Sequence, residues 1–67
     1  MKLTEQQKEN VLYELNTALN GYKNAVNHGN REVMLFNDGK IRGIVNTLIW
    51  LGIDDVDYHF YLNHLEK

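Results

Sequence analysis

Apolar residues recur along the first third of the chain with a helical period. Val11, Leu15, Ala18, Tyr22 and Ala25 follow at spacings of three and four, and Leu12, Leu19 and Val26 at seven. At about 100° per residue the two sets merge into one stripe, with Glu9, Asn16, Asn20 and Lys23 opposite. Thr4 with Gln7 three residues later is a capping-box pattern. Gly21 lowers local helix propensity without ending the helix, and Gly29, just after Asn27-His28, is placed as a C-terminal cap. The pattern predicts a first helix over about 4–28.

Asn30 is suited to cap a second helix and Gly52 to close it, over about 30–51. Met34, Ile41 and Leu48 are seven apart, and so are Asn37, Ile44 and Leu51, with Val45 joining the two rows. Asp38 and Arg42 form an i,i+4 acid–base pair. The run Phe36-Asn37-Asp38-Gly39-Lys40 also reads as a hairpin turn, which gives an α+β alternative with a β-hairpin over 31–45. The adjacent Ile44 and Val45 break the alternation that a strand after Lys40 requires, so the helix is preferred.

This second helix is apolar round much of its circumference. Val33, Met34, Ile41, Ile44, Val45, Leu48 and Leu51 cover one side, and Phe36, Gly43, Thr47 and Trp50 an adjoining strip. Together they span roughly 220°, wider than the stripe of an ordinary surface helix. Leu35 and Ile49 fall toward the polar side. Such a helix is expected at the centre of the fold, packed by the first helix, the third helix and another chain.

Asp54 or Asp55 is expected to cap a third helix over about 55–66, with Asp57 in its first turn, where the helix dipole favours acids. Tyr58, Tyr61, Leu62 and Leu65 share one face, Val56 and Phe60 another, and His64 and Lys67 suit the C-terminal end. The resulting fold class is all-α. It is a small three-helix domain over 1–67, a long helical hairpin plus a short C-terminal helix, expected as a homodimer.

Composition narrows the chemistry. The 67 residues include no cysteine, no proline and no serine, so disulfides, thiolate metal sites and serine or cysteine nucleophiles are excluded. The length rules out large catalytic scaffolds. His59 and His64 are five apart, whereas a helical zinc pair needs a spacing of three or four. No glycine-rich phosphate loop precedes a helix. Neither an enzyme activity nor a metal or cofactor is expected. The net charge of -2, with scattered basic residues, weighs against nucleic-acid binding. The longest mostly apolar run, Ile44 to Ile53, falls short of the ~20 residues of a membrane span. The polar stretch Lys2 to Asn10 is unlike a secretory leader, and a cytoplasmic location is the expectation.

Two surfaces stand out. Gly39 and Gly43 form a G-x-x-x-G spacing, and Gly43 lies seven residues from both Phe36 and Trp50. Phe36, Gly39, Gly43, Thr47 and Trp50 therefore form a candidate interface strip with a notch between two aromatics. The alternative is that the aromatics fill the protein's own core. Asp54, Asp55 and Asp57 with Tyr58 and Tyr61 form a candidate partner surface, acidic and tyrosine-rich. The same aspartates also serve simply as capping groups, and the tyrosines as core.

Residues 37–53, with the pattern G-x-I-x-G-I-x-x-x-L-x-x-L-G over Gly39–Gly52, resemble a helix of small, mostly uncharacterised helical proteins encoded by phages and prophages. The resemblance covers about a quarter of the chain (17 of 67 residues). It implies a small accessory protein, often dimeric, that binds a host or defence protein in the host cytoplasm; it carries over no functional residues. The reading is a non-catalytic protein-interaction module, an inhibitor or modulator, partnered by itself and by another protein. Two alternatives stand beside it. A small DNA-binding regulator would read with its third helix and pool Arg31, Lys40 and Arg42 in a dimer. A structural or assembly component would show higher stoichiometry.

Overall fold

The computed structural model describes residues 2–65. The capping box closes as its spacing predicts. The Gln7 N–H donates to Thr4 Oγ1 at 3.1 Å and the Thr4 N–H to Gln7 Oε1 at 3.0 Å, opening helix α1 (Glu5–His28). Gly29 ends it with φ +69°, and the N–H groups of Gly29 and Asn30 donate back to the carbonyls of Val26 and Ala25. Asn30 then starts helix α2 (Arg31–Trp50), its Oδ1 accepting from the Val33 N–H at 3.2 Å. Two residues thus close one helix and open the next, which folds α1 and α2 into an antiparallel hairpin.

The β-hairpin alternative over 31–45 is wrong. α2 is continuous through this segment, and no strand occurs among the described residues. The supposed turn residues are held in the helix from both sides. Asn37 is buried, and its Nδ2 donates to the Val33 carbonyl at 2.9 Å. It lies against Gly21 of α1, so closely that a Cβ there would sit 2.9 Å from Asn37 Nδ2. Asp38 is tied to Arg42 at 2.7 Å. Gly21 is therefore the point of close approach between α1 and α2, a role the helical period alone did not reveal.

α2 ends with the same closure as α1. Gly52 takes φ +74°, its N–H reaches the Ile49 carbonyl, and the Ile53 N–H reaches the Leu48 carbonyl at 2.9 Å. This turn carries Ile53 into the core. Helix α3 (Tyr58–Leu65) begins later than the spacing suggests. Its cap is neither Asp54 nor Asp55 but Asp57, whose Oδ1 accepts from the Phe60 N–H at 3.2 Å. The cause is burial: Ile53 and Val56 must both enter the core, which holds the intervening chain in an irregular path. Residue 66 and Lys67 lie outside the described residues, and with them the expected helix end and its basic group.

Leu15, Ile41 and Val45 are fully buried at the centre, ringed by Ala18, Leu19, Tyr22, Leu48, Ile53, Val56, Tyr61 and Leu65. Each fully buried aliphatic side chain contributes about 1.5–3 kcal/mol relative to its exposed state. Tyr61 Oη donates to Asn16 Oδ1 at 2.7 Å, and Tyr22 Oη to the Leu65 carbonyl at 3.4 Å. These contacts advance together along both helices, so α3 runs in the same direction as α1. All three helices share one core, and that core lies on one side of α2. The expected central position of α2 is thus half realised: α1 and α3 cover its inner side and leave the outer side bare. No helix among the described residues is long and apolar enough to cross a membrane.

Candidate functional site

The bare side of α2 holds the predicted strip. Trp50 lies about 180° round the helix from Ile41, and Gly43 about 160°. Both point away from the core, and Trp50 is 88% and Phe36 68% exposed. Within this chain the two aromatics are not core. Gly39, Gly43 and Thr47 are exposed between them. The Thr47 hydroxyl is turned back onto its own helix, donating to the Gly43 carbonyl at 2.8 Å. A Cβ built at Gly39 or Gly43 meets nothing within 4 Å, in contrast to Gly21. No contact inside the chain requires glycine at either position, although each lowers helix stability. Together they floor a shallow groove whose inner wall is Val11, Ile44 and Leu48.

Four further apolar side chains extend the face beyond the predicted strip. Leu35 and Ile49, which the helical wheel places toward the polar side, are exposed beside Phe36 and Trp50. Val33 and Leu51, expected on the packed side, are also largely exposed, each lying about 80° round the helix from the fully buried Ile41. The signal for Val33 and Leu51 was the excessive width of the apolar arc, outside which Leu35 and Ile49 fall; which part of it would stay bare depends on where α3 docks.

The charges that flank the face are already engaged. Lys40 Nζ pairs with Glu14 of α1 at 2.9 Å and Arg42 Nε with Asp38 at 2.7 Å. Between Phe36 and Trp50 the centre of the face carries Gly39, Gly43, Asn46 and Thr47, with one charge beside them, Lys40, which is held by Glu14.

The candidate partner surface at the start of α3 does not hold together. Tyr61 is only 4% exposed and bonded to Asn16, so it belongs to the core and not to a surface. Burial raises its pKa above the ordinary tyrosine value. Asp57 is occupied as the cap. Asp54 is exposed and Asp55 half-buried, beside a half-buried Tyr58 whose hydroxyl is enclosed without a hydrogen-bond partner. Burial raises the Tyr58 pKa, and the nearby carboxylates of Asp54 and Asp55 raise it further. Among the described residues no three histidine, aspartate or glutamate side chains converge as metal ligands.

A second groove runs between the helices near the end of α3, lined by Tyr22, Val26, Met34 and Leu65 with Lys23, Asp38 and His64 at its rim. Two of its polar groups serve their own helices: Asp38 holds Arg42, and His64 Nδ1 lies 2.7 Å from the Phe60 carbonyl. The outer face of α2 is thus left without a role inside the chain. No family model matches this chain, and neither does any curated protein or solved structure.

Proposed function

We propose that the protein is a small non-catalytic protein-interaction module whose working surface is the outer face of α2. One observation carries this reading: Phe36 and Trp50 stand exposed on the same face, joined by a flat strip of small uncharged residues. Aromatic anchors around a flat, desolvatable centre are the side chains that dominate protein interfaces. The tying of Lys40 and Arg42 to their own carboxylates weighs against a phosphate-reading role. The resemblance of residues 37–53 to phage-encoded helices supports a setting in which such a module inhibits or modulates a host or defence protein.

The test is site-specific photocrosslinking in cells, with the reactive group at exposed Asn46 on this face or, as control, at exposed Asn20 on α1. Protein adducts from position 46 and none from position 20 are the expected result. Equal adducts at both positions, or none at 46, would remove the reading.

A further inference from the structure

We infer that the occupant of this face is a second copy of the same chain, packed with its α2 antiparallel and with the two-fold axis passing at Gly43. This rests on the face being a protein-docking surface, and it names the partner.

The first support is self-complementarity. A two-fold interface uses one patch twice, so residues on either side of the axis must suit one another. Phe36, Gly39, Gly43, Thr47 and Trp50 are spaced three, four, four and three apart, a palindrome about Gly43. Antiparallel pairing sets Phe36 of one copy against Trp50 of the other, Gly39 against Thr47, and Gly43 against Gly43. The flanks obey the same symmetry. Leu35 and Ile49 lie on one edge of the face and Val33 and Leu51 on the other, each pair nearly equidistant from the centre. Phe36 and Trp50, both exposed, thereby gain aromatic counterparts, and the four aliphatic side chains lie at the rims of the contact.

The second support is area. The six exposed apolar side chains leave about 600 Å² of apolar surface per copy, of which the two aromatics supply about half. A stable interface buries roughly 800 Å² per partner. The contact is therefore smaller than a standard interface, and the dimer should dissociate on dilution. The third support is charge. The face brings no unpaired charge to its centre, and antiparallel packing opposes the two helix dipoles where parallel packing would align them. The glycines gain a purpose here: they let the two backbones approach where the Cβ of any other residue would hold them apart.

The test joins mass in solution to disulfide trapping, for which a chain without cysteine is well suited. Light scattering should give twice the 7.9 kDa chain mass at high concentration. Under mild oxidation, Thr47→Cys mixed with Gly39→Cys should form the mixed disulfide dimer. Thr47→Cys alone should not, because its two copies lie about 12 Å apart along the axis at 1.5 Å per residue. Self-linking of Thr47→Cys as efficient as the mixed product would overturn the antiparallel arrangement. A mass of 7.9 kDa at every concentration would overturn the second copy as occupant. Adducts to other proteins from position 46 would then still uphold the docking face, whereas their absence would end both readings.

Discussion

Replacing Gly43 with alanine should push folding and association in opposite directions. The added Cβ meets nothing within 4 Å in the single chain, so it brings no steric cost there. It removes a helix-interior glycine, which is worth about 0.8–1 kcal/mol relative to alanine. Part of that gain comes from restricting the unfolded chain. In a domain of this size 1 kcal/mol raises the melting temperature by about 4–8 °C. At the two-fold axis the same methyl group is repeated in both copies at their closest approach. Overpacking of this kind costs about 1–3 kcal/mol, which at 1.4 kcal/mol per decade weakens association about fivefold to more than a hundredfold. The assay is a pair of measurements on parent and variant. Thermal melts by circular dichroism are taken where the parent is monomeric, and the association constant is taken by sedimentation equilibrium. A melting temperature that falls in dilute solution would show that Gly43 is needed inside the chain. Association as tight as in the parent would show that position 43 is not at the contact.

Gly21→Ala should behave differently although it too adds one methyl to a helix. Its Cβ would lie 2.9 Å from Asn37 Nδ2, so the clash with a buried side chain outweighs the gain in propensity and the melting temperature should fall. Tyr61→Phe removes the 2.7 Å bond to Asn16 and should cost about 0.5–1.5 kcal/mol, read from urea unfolding; no loss would mean the bond contributes nothing. Tyr58 and Tyr61 both hold their protons more tightly when folded. The folded state therefore binds more protons than the unfolded chain above the ordinary tyrosine value of about 10, and stability should be intact below that pH and fall as pH rises through it. Tyrosinate absorbance followed against pH, with Tyr58→Phe and Tyr61→Phe as controls, checks the assignment. Tyr58→Phe also deletes a hydroxyl with no partner, so below pH ~10 it should leave stability unchanged or raised.

Local chemistry was legible along the chain and tertiary placement was not. Thr4 with Gln7, Gly29, Asn30 and Gly52 all act as their types and positions suggest, because a cap is satisfied within a few residues. The pattern offers Asp54 and Asp55 as caps of α3 and places Asp57 in its first turn, whereas with Ile53 and Val56 buried the cap falls at Asp57. Asn37-Asp38-Gly39 has turn chemistry in isolation; in the fold Asn37 is buried against Gly21, sixteen residues earlier, and bonds to the Val33 carbonyl of its own helix. Tyr61 shared a helical face with Tyr58 in the pattern, yet only the position of Asn16 shows that its hydroxyl is spent inside the protein. The apolar excess of α2 was plain from its arc. That the bare part would carry Phe36 and Trp50 followed only once α1 and α3 were seen to pack on the side of Ile41 and Val45.

Trp50 is the sole tryptophan of the chain and stands at the edge of the face in question, so its fluorescence reports directly on whether that face is covered. The decisive measurement is its emission maximum and its quenching by acrylamide over a dilution series, with mass followed in parallel. Pairing through this face should give a blue-shifted, protected tryptophan in the concentrated dimer that becomes red-shifted and freely quenched as the mass falls to 7.9 kDa. Association that leaves Trp50 as exposed as in the single chain would contradict it, because the copies would then be meeting through some other face.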